Sequence, residues 1–517
     1  MISAIIWNIR HIPTPSLRDS LLFDVFSALI VHGIYNKYEV DPANIPATLL
    51  LLVGVPALPC YFLVVNMEST MRATALAYGL FYTILTMSIV VYRPNEVSIV
   101  DVEAIQPVLG NDGMRRGPLW NIHTRPGTSA NILTARDVKL HHERRKLWNR
   151  GFTTASLKEL QLTVENRVLE LVGELGKRVS FEFGENGVPL DLALWLANFT
   201  YDFMGDMVFG GGFGLMKNDN VHDMKTIVED TMKFAGIMEH VSWITGLLYK
   251  IAAGSSEQKK FIEFTKQRYM ERKVRRAAGR DLFHYITNED GQEKVEVSDD
   301  QDMNELFVAI IAGADTTSTV LAGIFFNLLS SPESFDRLRK EVDSAFPVSD
   351  GDPFDAVKLA GMPYLNAVIN EGLRLQPPVS TSLQRSPLEG SGGKWVAGRF
   401  IPENAAVYIP TYVLHRDPRY FSPSPDSFIP ERWLDNEGKD EEYSMNAMAY
   451  IPFSFGPANC VGKNLALLEM RMVIAMIIQR FDVKLADGYT PQQWEEELKD
   501  YYVIKVGELP VVLKARL

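Results

Sequence analysis

The chain has 517 residues, of which 46% are hydrophobic and 22% are charged, an ordinary balance for a protein that folds along most of its length. A net charge of −12 and the lack of a long Lys/Arg run exclude nucleic acid as the main partner, because nucleic-acid binding needs a basic surface. Cys60 and Cys460 are too few for the disulfide framework of a small secreted protein. Cys60 lies in an apolar stretch, so Cys460 is the only cysteine in the polar part of the chain.

Long apolar segments predict that the first 92 residues are a membrane anchor region. Residues 45–65 and 73–92 contain no charged side chain, and each is long enough for a helix to cross the bilayer, which takes about 20 residues. Residues 17–35 are apolar but carry charges, so they form either an interfacial segment or a third span. Basic residues flank the segments on both sides, which predicts that the remainder, 93–517, is a catalytic domain in the cytoplasm. A pair of buried helices in a soluble core is the alternative.

The elements predicted after residue 92 are mostly helical. A short strand over 95–100 is followed by a helix through 108 and by a long loop over 111–134, and residues 376–435 combine short strands with many prolines. Helices are predicted over 137–149, 155–178, 190–208, 220–235, 256–277, 302–329, 363–375 and 462–480. The fold class is therefore mostly α with minor β, or α+β.

Phe453, Gly456, Cys460 and Gly462 follow the spacing FxxGxxxCxG immediately before a predicted helix. Gly456 allows a tight turn and the close approach of a flat ligand, and Gly462 lets the helix begin against that ligand. Cys460 lies just before the helix N-terminus, where backbone N–H groups and the helix dipole favour a thiolate over a thiol. The pattern predicts a functional thiolate, and an inert structural cysteine is the alternative.

A second motif, Ala312-Gly313-Ala314-Asp315-Thr316-Thr317, lies in the middle of the helix predicted over 302–329. Glycine and threonine are poor residues for a helix interior, and Thr316 can hydrogen-bond a carbonyl one turn earlier and bend the backbone. Such an opening leaves room for dioxygen and water, while Asp315 and Thr316 form an acid–alcohol pair that can relay protons. The alternative is a polar patch on a solvated helix face.

Glu371 and Arg374 are three residues apart on one predicted helix and therefore share a face. Most such pairs are solvated, but the neighbouring residues here are apolar. A buried pair needs further hydrogen bonds, which Arg432 in the segment Pro430-Glu431-Arg432-Trp433 can supply.

These three motifs together resemble those of the cytochrome P450 family of haem-thiolate monooxygenases. The resemblance covers residue 95 to the C-terminus, and FxxGxxxCxG is the haem-binding signature of that family. It implies the cytochrome P450 fold, preceded here by transmembrane helices, and haem b with Cys460 as the axial ligand of the iron. A thiolate ligand pushes electron density onto the iron and favours O–O cleavage. In this family Asp315 and Thr316 would deliver protons.

The resemblance also assigns haem contacts and structural roles. Beside the haem it places Ala312, Phe453, Gly456 and Gly462, and it implies that Glu371, Arg374 and Arg432 form a buried structural triad. The family usually carries Arg or His two residues before the cysteine, where this chain has Ala458. His141, Arg145 and Arg385 match other positions that contact the haem propionates, and they would offset the missing arginine.

The implied activity inserts one oxygen atom into a small apolar substrate, with electrons from NADPH through a P450 reductase. The pattern of N-terminal spans and the haem loop resembles fungal members of secondary metabolism, which suggests a terpenoid-like substrate and an endoplasmic reticulum membrane. Ala309, Ala312, Val379 and the loop near Trp120 are expected to line the pocket. The alternatives are a peroxide isomerase or dehydratase, which often lacks the acid–alcohol pair, and an inactive haem-binding membrane protein.

One departure concerns the start of the catalytic domain. Microsomal members carry a hinge and a first helix–strand unit between the anchor and the second strand. Here residues 92–95 pass directly from the predicted span into what resembles that second strand. We therefore predict that this unit is absent, as in a truncated splice form or an imperfect gene model, and that the strand is left with an unpaired edge.

Overall fold

The computed structural model describes residues 95–121, 124, 129–182, 187–217, 232–233, 236, 256–275, 279–295, 298–381, 383–434 and 443–516. All of them belong to one of the two units of the chain, Asn95–Leu517. The three predicted membrane segments lie outside the described residues, as does most of the helix predicted over 220–235. The predicted absence of a first helix–strand unit also concerns that part of the chain and stays a prediction.

Helices form most of the described structure. In chain order they are α1 Ile105–Leu109, α2 Val138–Gly151, α3 Thr154–Glu182, α4 Leu192–Phe209, α5 Ser256–Arg275, α6 Leu282–Ile286, α7 Asp299–Leu329, α8 Pro332–Ala345, α9 Ala356–Ala360, α10 Pro363–Leu375, α11 Thr411–Leu414, α12 Lys463–Arg480 and α13 Pro491–Glu497. The seven helices predicted elsewhere than 220–235 are confirmed, with ends shifted by only a few residues.

The strands are short and lie mostly in the second half of the chain. They are β1 Glu96–Ser98, β2 Arg115–Arg116, β3 Val188–Asp191, β4 Arg385–Ser386, β5 Gly393–Val396, β6 Arg399–Pro402, β7 Ala406–Tyr408, β8 Phe421–Ser422, β9 Ser444–Met445, β10 Phe481–Leu485, β11 Lys499–Tyr501, β12 Val503–Lys505 and β13 Pro510–Ala515. Among the described residues, one sheet has the order β1-β7-β4-β2 and another β10-β13-β3. The mostly-α prediction with minor β-structure is confirmed.

The long helix α7 organises the main hydrophobic core. It packs along α4 and also against α8, α10 and α12. Its first turn carries Asp299, Asp300 and Asp302, which suit the positive end of the helix dipole. Within the described ranges, α7 alone is long and apolar enough to cross a membrane. Because 61% of its most apolar stretch is buried inside the protein, α7 is a core helix here.

The segment predicted as a loop over 111–134 contains regular structure that the sequence pattern did not reveal. Strand β2 pairs antiparallel with β4, so that Arg116 lies opposite Arg385, and a 3-10 turn follows at Pro118–Asn121. β1 pairs in parallel with β7 through the register Glu96↔Ala406. These pairings fix the start of the described chain against the strands that follow α10.

Candidate functional site

The loop from Phe453 to Gly462 is a folded turn that presents Cys460. The amide of Cys460 donates to the carbonyl of Phe453 at 2.8 Å, and the amide of Asn459 donates to the carbonyl of Gly456 at 3.1 Å. Gly456 has φ +72°, and a Cβ atom there would collide with the carbonyl oxygen of Leu109. The expected tight turn is therefore present, while the close approach that requires glycine is to the backbone of α1.

The Cys460 side chain is accessible, although protein atoms surround it closely. That burial raises the pKa of the thiol, and hydrogen bonds from the amides of Gly462 and Lys463 together with the charge of Arg145 act in the opposite direction. α12 begins at Lys463, directly after the cysteine. The amides at the start of this helix thus face the sulfur, which is the arrangement predicted for a thiolate ligand.

Gly462 leaves open space next to that sulfur. A Cβ atom built at this position would meet no atom closer than 3.7 Å, and its two neighbours would be a ring carbon of Phe152 and the sulfur of Cys460. Its φ of −80° would suit any residue. The protein chain itself therefore does not require glycine here, but a flat group bound at the sulfur would.

The middle of α7 faces open space through Ala312 and Thr316. Ala312 is exposed, and the hydroxyl of Thr316 donates to the Ala312 carbonyl at 2.7 Å, which is the backward bond expected from the sequence. The helix nevertheless continues without interruption from Asp299 to Leu329. Gly313 is required for a different reason, because a Cβ atom there would collide with the sulfur of Met204 on α4.

Asp315 does not point to Thr316 but to the neighbouring helix. Its Oδ1 accepts a hydrogen bond of 2.5 Å from the hydroxyl of Tyr201, a residue of α4 that is only 1% exposed. The Asp315 side chain itself is partly buried. Tyr201 was not among the predicted site residues, and its separation of 114 residues from Asp315 explains why no local pattern revealed it.

Glu371, Arg374 and Arg432 meet in the core, and all three side chains are 0% exposed. Arg374 binds Glu371 through two hydrogen bonds of 2.8 Å, and Arg432 approaches the same carboxylate at an ion-pair distance of 3.4 Å. Backbone carbonyls accept the other N–H groups of Arg374, and the Glu371 carboxylate also accepts from the Ile429 amide and the Trp433 indole. The charges of Glu371 and Arg374 thereby compensate each other within the protein, and Arg432 lies at ion-pair distance from the same carboxylate.

His415 links the triad to the segment that leads into the cysteine loop. Its carbonyl accepts from Arg374, its Nδ1 lies 3.2 Å from the Arg374 carbonyl, and its Nε2 lies 3.0 Å from the amide of Ile451. An Ile451 amide that donates to Nε2 requires a neutral ring with the proton on Nδ1. Burial lowers the pKa of His415 to about 3, which agrees with that state.

A second group of basic residues lies near the cysteine loop. It combines the buried His141, Arg385 and Arg116 with Arg145, which is partly buried. Burial and the charge of Arg385 lower the pKa of Arg116 to about 9, and burial lowers the pKa of Arg385 to about 10. Burial and the charges of Arg116, Arg145 and Arg385 lower the pKa of His141 to about 3. We call these four residues the basic cluster.

The basic cluster has the composition of an anion-binding site. Within the described part of the chain, neither Arg116 nor Arg385 has a carboxylate at ion-pair distance, and Nε of Arg385 is buried without a hydrogen-bond partner. Buried cations are costly unless an opposite charge compensates them. The two carboxylates of haem would provide that charge, and Gly462 would leave room for the ring at the sulfur. The residues present therefore fit the expected cofactor.

Arg145 also holds the cysteine loop directly. Its guanidinium donates to the carbonyl and to the side-chain oxygen of Asn459, the residue between Ala458 and Cys460. A third bond, from Nε, goes to Asn149 of the same helix at 2.8 Å. α2 thus supplies a basic group to the region where this chain lacks the usual arginine.

Aromatic and aliphatic side chains from distant segments form an apolar cluster near the basic residues. Trp120 packs edge-on against Tyr502, with ring centroids 6.1 Å apart, and Val379 packs against the same cluster. Tyr502 has φ +76° in the turn between β11 and β12. Its phenol group acts to raise the pKa values of Arg116 and Arg385, against the larger effect of burial. Ala309, which was also expected to line the pocket, is instead 2% exposed and packs in the core.

Three functional candidates were thus missed at the sequence level. Arg116 was not among the predicted site residues, although the Arg115-Arg116 pair within the predicted loop is a usable signal. No sequence signal identifies Tyr201 or Tyr502, because each acquires its role only through contacts with distant segments.

Comparison with known proteins gives a consistent result. The cytochrome P450 family model matches residues 55–506. "Cytochrome P450 67" of Uromyces fabae is 32% identical over 429 residues, which cover 80% of this chain and 76% of the relative. "Tryprostatin B 6-hydroxylase" of Aspergillus fumigatus is 30% identical, with 82% and 73% covered, and "Trichothecene C-15 hydroxylase" of Fusarium sporotrichioides is 28% identical, with 92% and 91% covered.

Proposed function

Because the chain belongs to the cytochrome P450 family and is an oxidoreductase with a haem-thiolate cofactor, we propose that it inserts one oxygen atom from dioxygen into a small apolar secondary metabolite. The observation that carries this proposal is the accessible Cys460 at the start of α12, accompanied by the buried Arg116 and Arg385, neither of which has a carboxylate at ion-pair distance among the described residues. This combination suits a flat, doubly anionic, iron-bearing group.

In the proposed site, Cys460 binds the iron, and His141, Arg116, Arg145 and Arg385 bind the two carboxylates of the cofactor. Bound haem supplies the iron at which dioxygen is activated. Phe453 and Gly456 shape the loop through the backbone contacts described above, and Gly462 leaves room beside the sulfur. α12 begins after Cys460 and packs against α7, the helix that carries Ala312 and Thr316.

Thr316 and Asp315 are proposed to control protons on the α7 side. The Thr316 hydroxyl donates its hydrogen bond to the Ala312 carbonyl. Its oxygen lone pairs can therefore accept a hydrogen bond from a water molecule or from a reacting group. Asp315 is partly buried and hydrogen-bonded, so it can exchange protons between the interior and solvent. The presence of both groups favours the monooxygenase over the peroxide isomerase or dehydratase.

The proposed substrate is a terpenoid-like or similarly apolar metabolite. Two relatives are named as hydroxylases of tryprostatin B and of a trichothecene, which supports hydroxylation of a secondary metabolite by this chain. Val379 is partly buried beside Trp120 and Tyr502, and an aliphatic side chain at that position supports an apolar ligand, because such pockets are lined mainly by aromatic and aliphatic side chains.

For location and partners, we propose that residues 1–92 anchor the protein in the endoplasmic reticulum membrane, with the catalytic domain in the cytoplasm. A membrane-bound, NADPH-dependent P450 reductase would supply the electrons. The support for the anchor is the uncharged composition of residues 45–65 and 73–92.

The first experiment is the carbon monoxide difference spectrum of the reduced holoprotein. We expect a thiolate-type band for the native chain and its loss in Cys460→Ala, because Cys60 is the only other cysteine. NADPH consumption with a reductase is then measured against a panel of terpenoids and other apolar metabolites. Absence of the band would support the inactive haem-binding alternative, and conversion of a peroxide without NADPH would support the isomerase or dehydratase.

A further inference from the structure

The contact between Tyr201 and Asp315 joins the two helices that lie in closest contact in the core. Tyr201 is almost completely buried on α4, and its hydroxyl oxygen lies 2.5 Å from Oδ1 of Asp315 on α7. This distance is in the range typical of a hydroxyl that donates to an ionised carboxylate, about 2.5–2.7 Å. Such bonds are about twice as strong as those between neutral groups.

The backbone packing around this contact leaves little freedom. One turn along α4, Met204 occupies the space that a Cβ atom on Gly313 would need, so the two helices approach each other closely at this point. Next to Tyr201, the carboxylate of Asp202 accepts from the amides of Gly214, Leu215 and Met216 and ties this part of α4 to the following segment. The tyrosine hydroxyl is therefore held in place by its surroundings.

The orientation that results separates Asp315 from Thr316. Consecutive residues of a helix diverge by about 100°, and the Asp315 carboxylate is turned toward α4. The Thr316 hydroxyl is turned along α7 toward the exposed Ala312. A proton that passes from Asp315 to the Thr316 side must therefore begin at a carboxylate that accepts a hydrogen bond from Tyr201.

We propose that Tyr201 is a positioning residue for proton delivery, which fixes the Asp315 carboxylate through its hydroxyl and thereby sets how efficiently protons reach the Thr316 side of the site. Tyr201 neither gains nor loses a proton overall, because it only donates its hydrogen bond to the carboxylate. The inference rests on the proposed monooxygenase function and on the proposed role of Asp315.

The test uses Tyr201→Phe holoenzyme, which keeps the ring and removes only the hydroxyl. Dioxygen serves as the probe, so the assay does not depend on knowing the organic substrate. With a NADPH-dependent reductase, we measure NADPH and dioxygen consumed, peroxide released, and the ratio of rates in H₂O and D₂O. We expect the rate of NADPH consumption to fall about tenfold and the solvent isotope effect to rise. A tenfold loss is a minor part of the ~10²–10⁴-fold rate increase that positioned acid–base groups contribute.

Two further variants separate positioning from a structural effect. Tyr285→Phe removes another buried tyrosine hydroxyl, which lies 3.2 Å from the hydroxyl of Ser156, and should leave rate and isotope effect unchanged. In an Asp315→Asn background, Tyr201→Phe should change the rate less than twofold, because the carboxylate through which it acts is gone. Haem content and the thermal midpoint should match those of the native chain in Tyr201→Phe.

Each outcome distinguishes this inference from the proposed function. If the native holoenzyme shows no thiolate-type band or consumes no NADPH, the proposed function itself fails. If Asp315→Asn slows turnover but Tyr201→Phe does not, the function stands and the positioning role is wrong. The role is also wrong if Tyr201→Phe has an equal effect with and without the Asp315 carboxylate, or if it acts only by reducing haem content.

Discussion

The triad and the basic cluster both contain buried arginines, and the two groups differ in how their charge is compensated. In the triad, Glu371 lies against Arg374 and Arg432, and backbone carbonyls accept the other N–H groups of Arg374. Nη2 of Arg432 also donates to backbone carbonyls, while its Nε and Nη1 have no hydrogen-bond partner among the described residues. In the basic cluster, Arg116 and Arg385 face each other across β2 and β4 with no carboxylate at ion-pair distance among the described residues.

Under the proposed function, the difference separates a structural site from a binding site. A compensated buried charge costs free energy when one partner is removed, since the other partner is left without its counter-charge. An uncompensated group of cations is unfavourable until an anion binds, so its removal costs binding rather than folding. Both groups contain the same residue type, and only the surroundings distinguish their roles.

Arg374→Ala should have the largest effect, because it leaves Glu371 buried with one ion-pair partner fewer. Breaking a buried pair costs about 3–5 kcal/mol, a large share of the ~5–15 kcal/mol by which domains are typically stable. We expect little folded holoprotein to accumulate, as measured by protease resistance and haem content in the membrane fraction. Normal accumulation of haem-loaded Arg374→Ala would contradict the assignment of the triad as structural.

Arg385→Leu should have a smaller and qualitatively different effect. The apoprotein should remain folded, since a buried cation without an acidic partner is removed, while haem should dissociate faster. A hydrogen bond to a charged group contributes about 1.5–3 kcal/mol, which corresponds to roughly ten- to hundredfold in haem retention. Transfer of haem to excess apomyoglobin measures the rate.

The matched control for this variant is Arg399→Leu, since Arg399 is an exposed arginine on β6. Its haem retention should equal that of the native chain. Unfolding of the Arg385→Leu apoprotein, with haem retention unchanged in whatever protein folds, would place Arg385 with the triad and remove the distinction between the two groups.

The pH dependence of apoprotein stability tests whether the basic cluster suppresses protonation of His141. Its pKa in the folded protein is lowered to about 3 from an ordinary value of 6.5, so the unfolded chain binds the proton first as the pH falls. The stabilising contribution of neutral His141 is therefore complete above about pH 6.5 and is lost as the pH falls toward 3. Apoprotein stability should fall by up to about 2 kcal/mol between pH 6.5 and 5, and His141→Phe should reduce that fall.

Haem loading should change the acid sensitivity that is due to His141 but not the part that is due to His415, the buried histidine beside the triad. Carboxylates bound at the basic cluster would raise the pKa of His141 and reduce its contribution to acid sensitivity, whereas His415 should respond equally in both forms. Urea unfolding of the native and His141→Phe proteins at pH 7 and 5, with and without haem, measures this. An equal pH dependence of native and His141→Phe apoprotein would show that the cluster does not suppress protonation of His141.

The sequence was most informative where the relevant contacts are local. The spacing of Glu371 and Arg374 within one helix, the turn before Cys460 and the bond from Thr316 to Ala312 all depend on neighbours within a few residues. Most helices were predictable for the same reason, since the periodicity of apolar residues reflects the burial of one face.

Contacts between distant segments were not predictable in this way. The register that places Arg116 opposite Arg385, and the packing that brings Tyr201 to Asp315, arise only when sheets and helices assemble. Gly456 and Gly313 show that a local pattern can mark a position without identifying the distant atoms that it contacts. Both were recognised as unusual, but the atoms that exclude a side chain, the Leu109 carbonyl and the Met204 sulfur, belong to elements far along the chain.

Ala458→Arg should have the smallest effect, and it tests whether the basic cluster already compensates the cofactor. The substitution restores the residue type usual in the family two positions before Cys460. Ala458 is partly exposed, and Arg145 already binds the adjacent Asn459. A charge pair in a partly solvated position contributes about 0.2–1 kcal/mol, so haem retention should rise no more than about fivefold. Asn464→Arg, which adds the same charge at an exposed position of α12, should give no gain. A gain near a hundredfold in Ala458→Arg alone would mean that His141, Arg116, Arg145 and Arg385 leave the bound anion largely uncompensated, and the cluster would lose its assignment as the anion site.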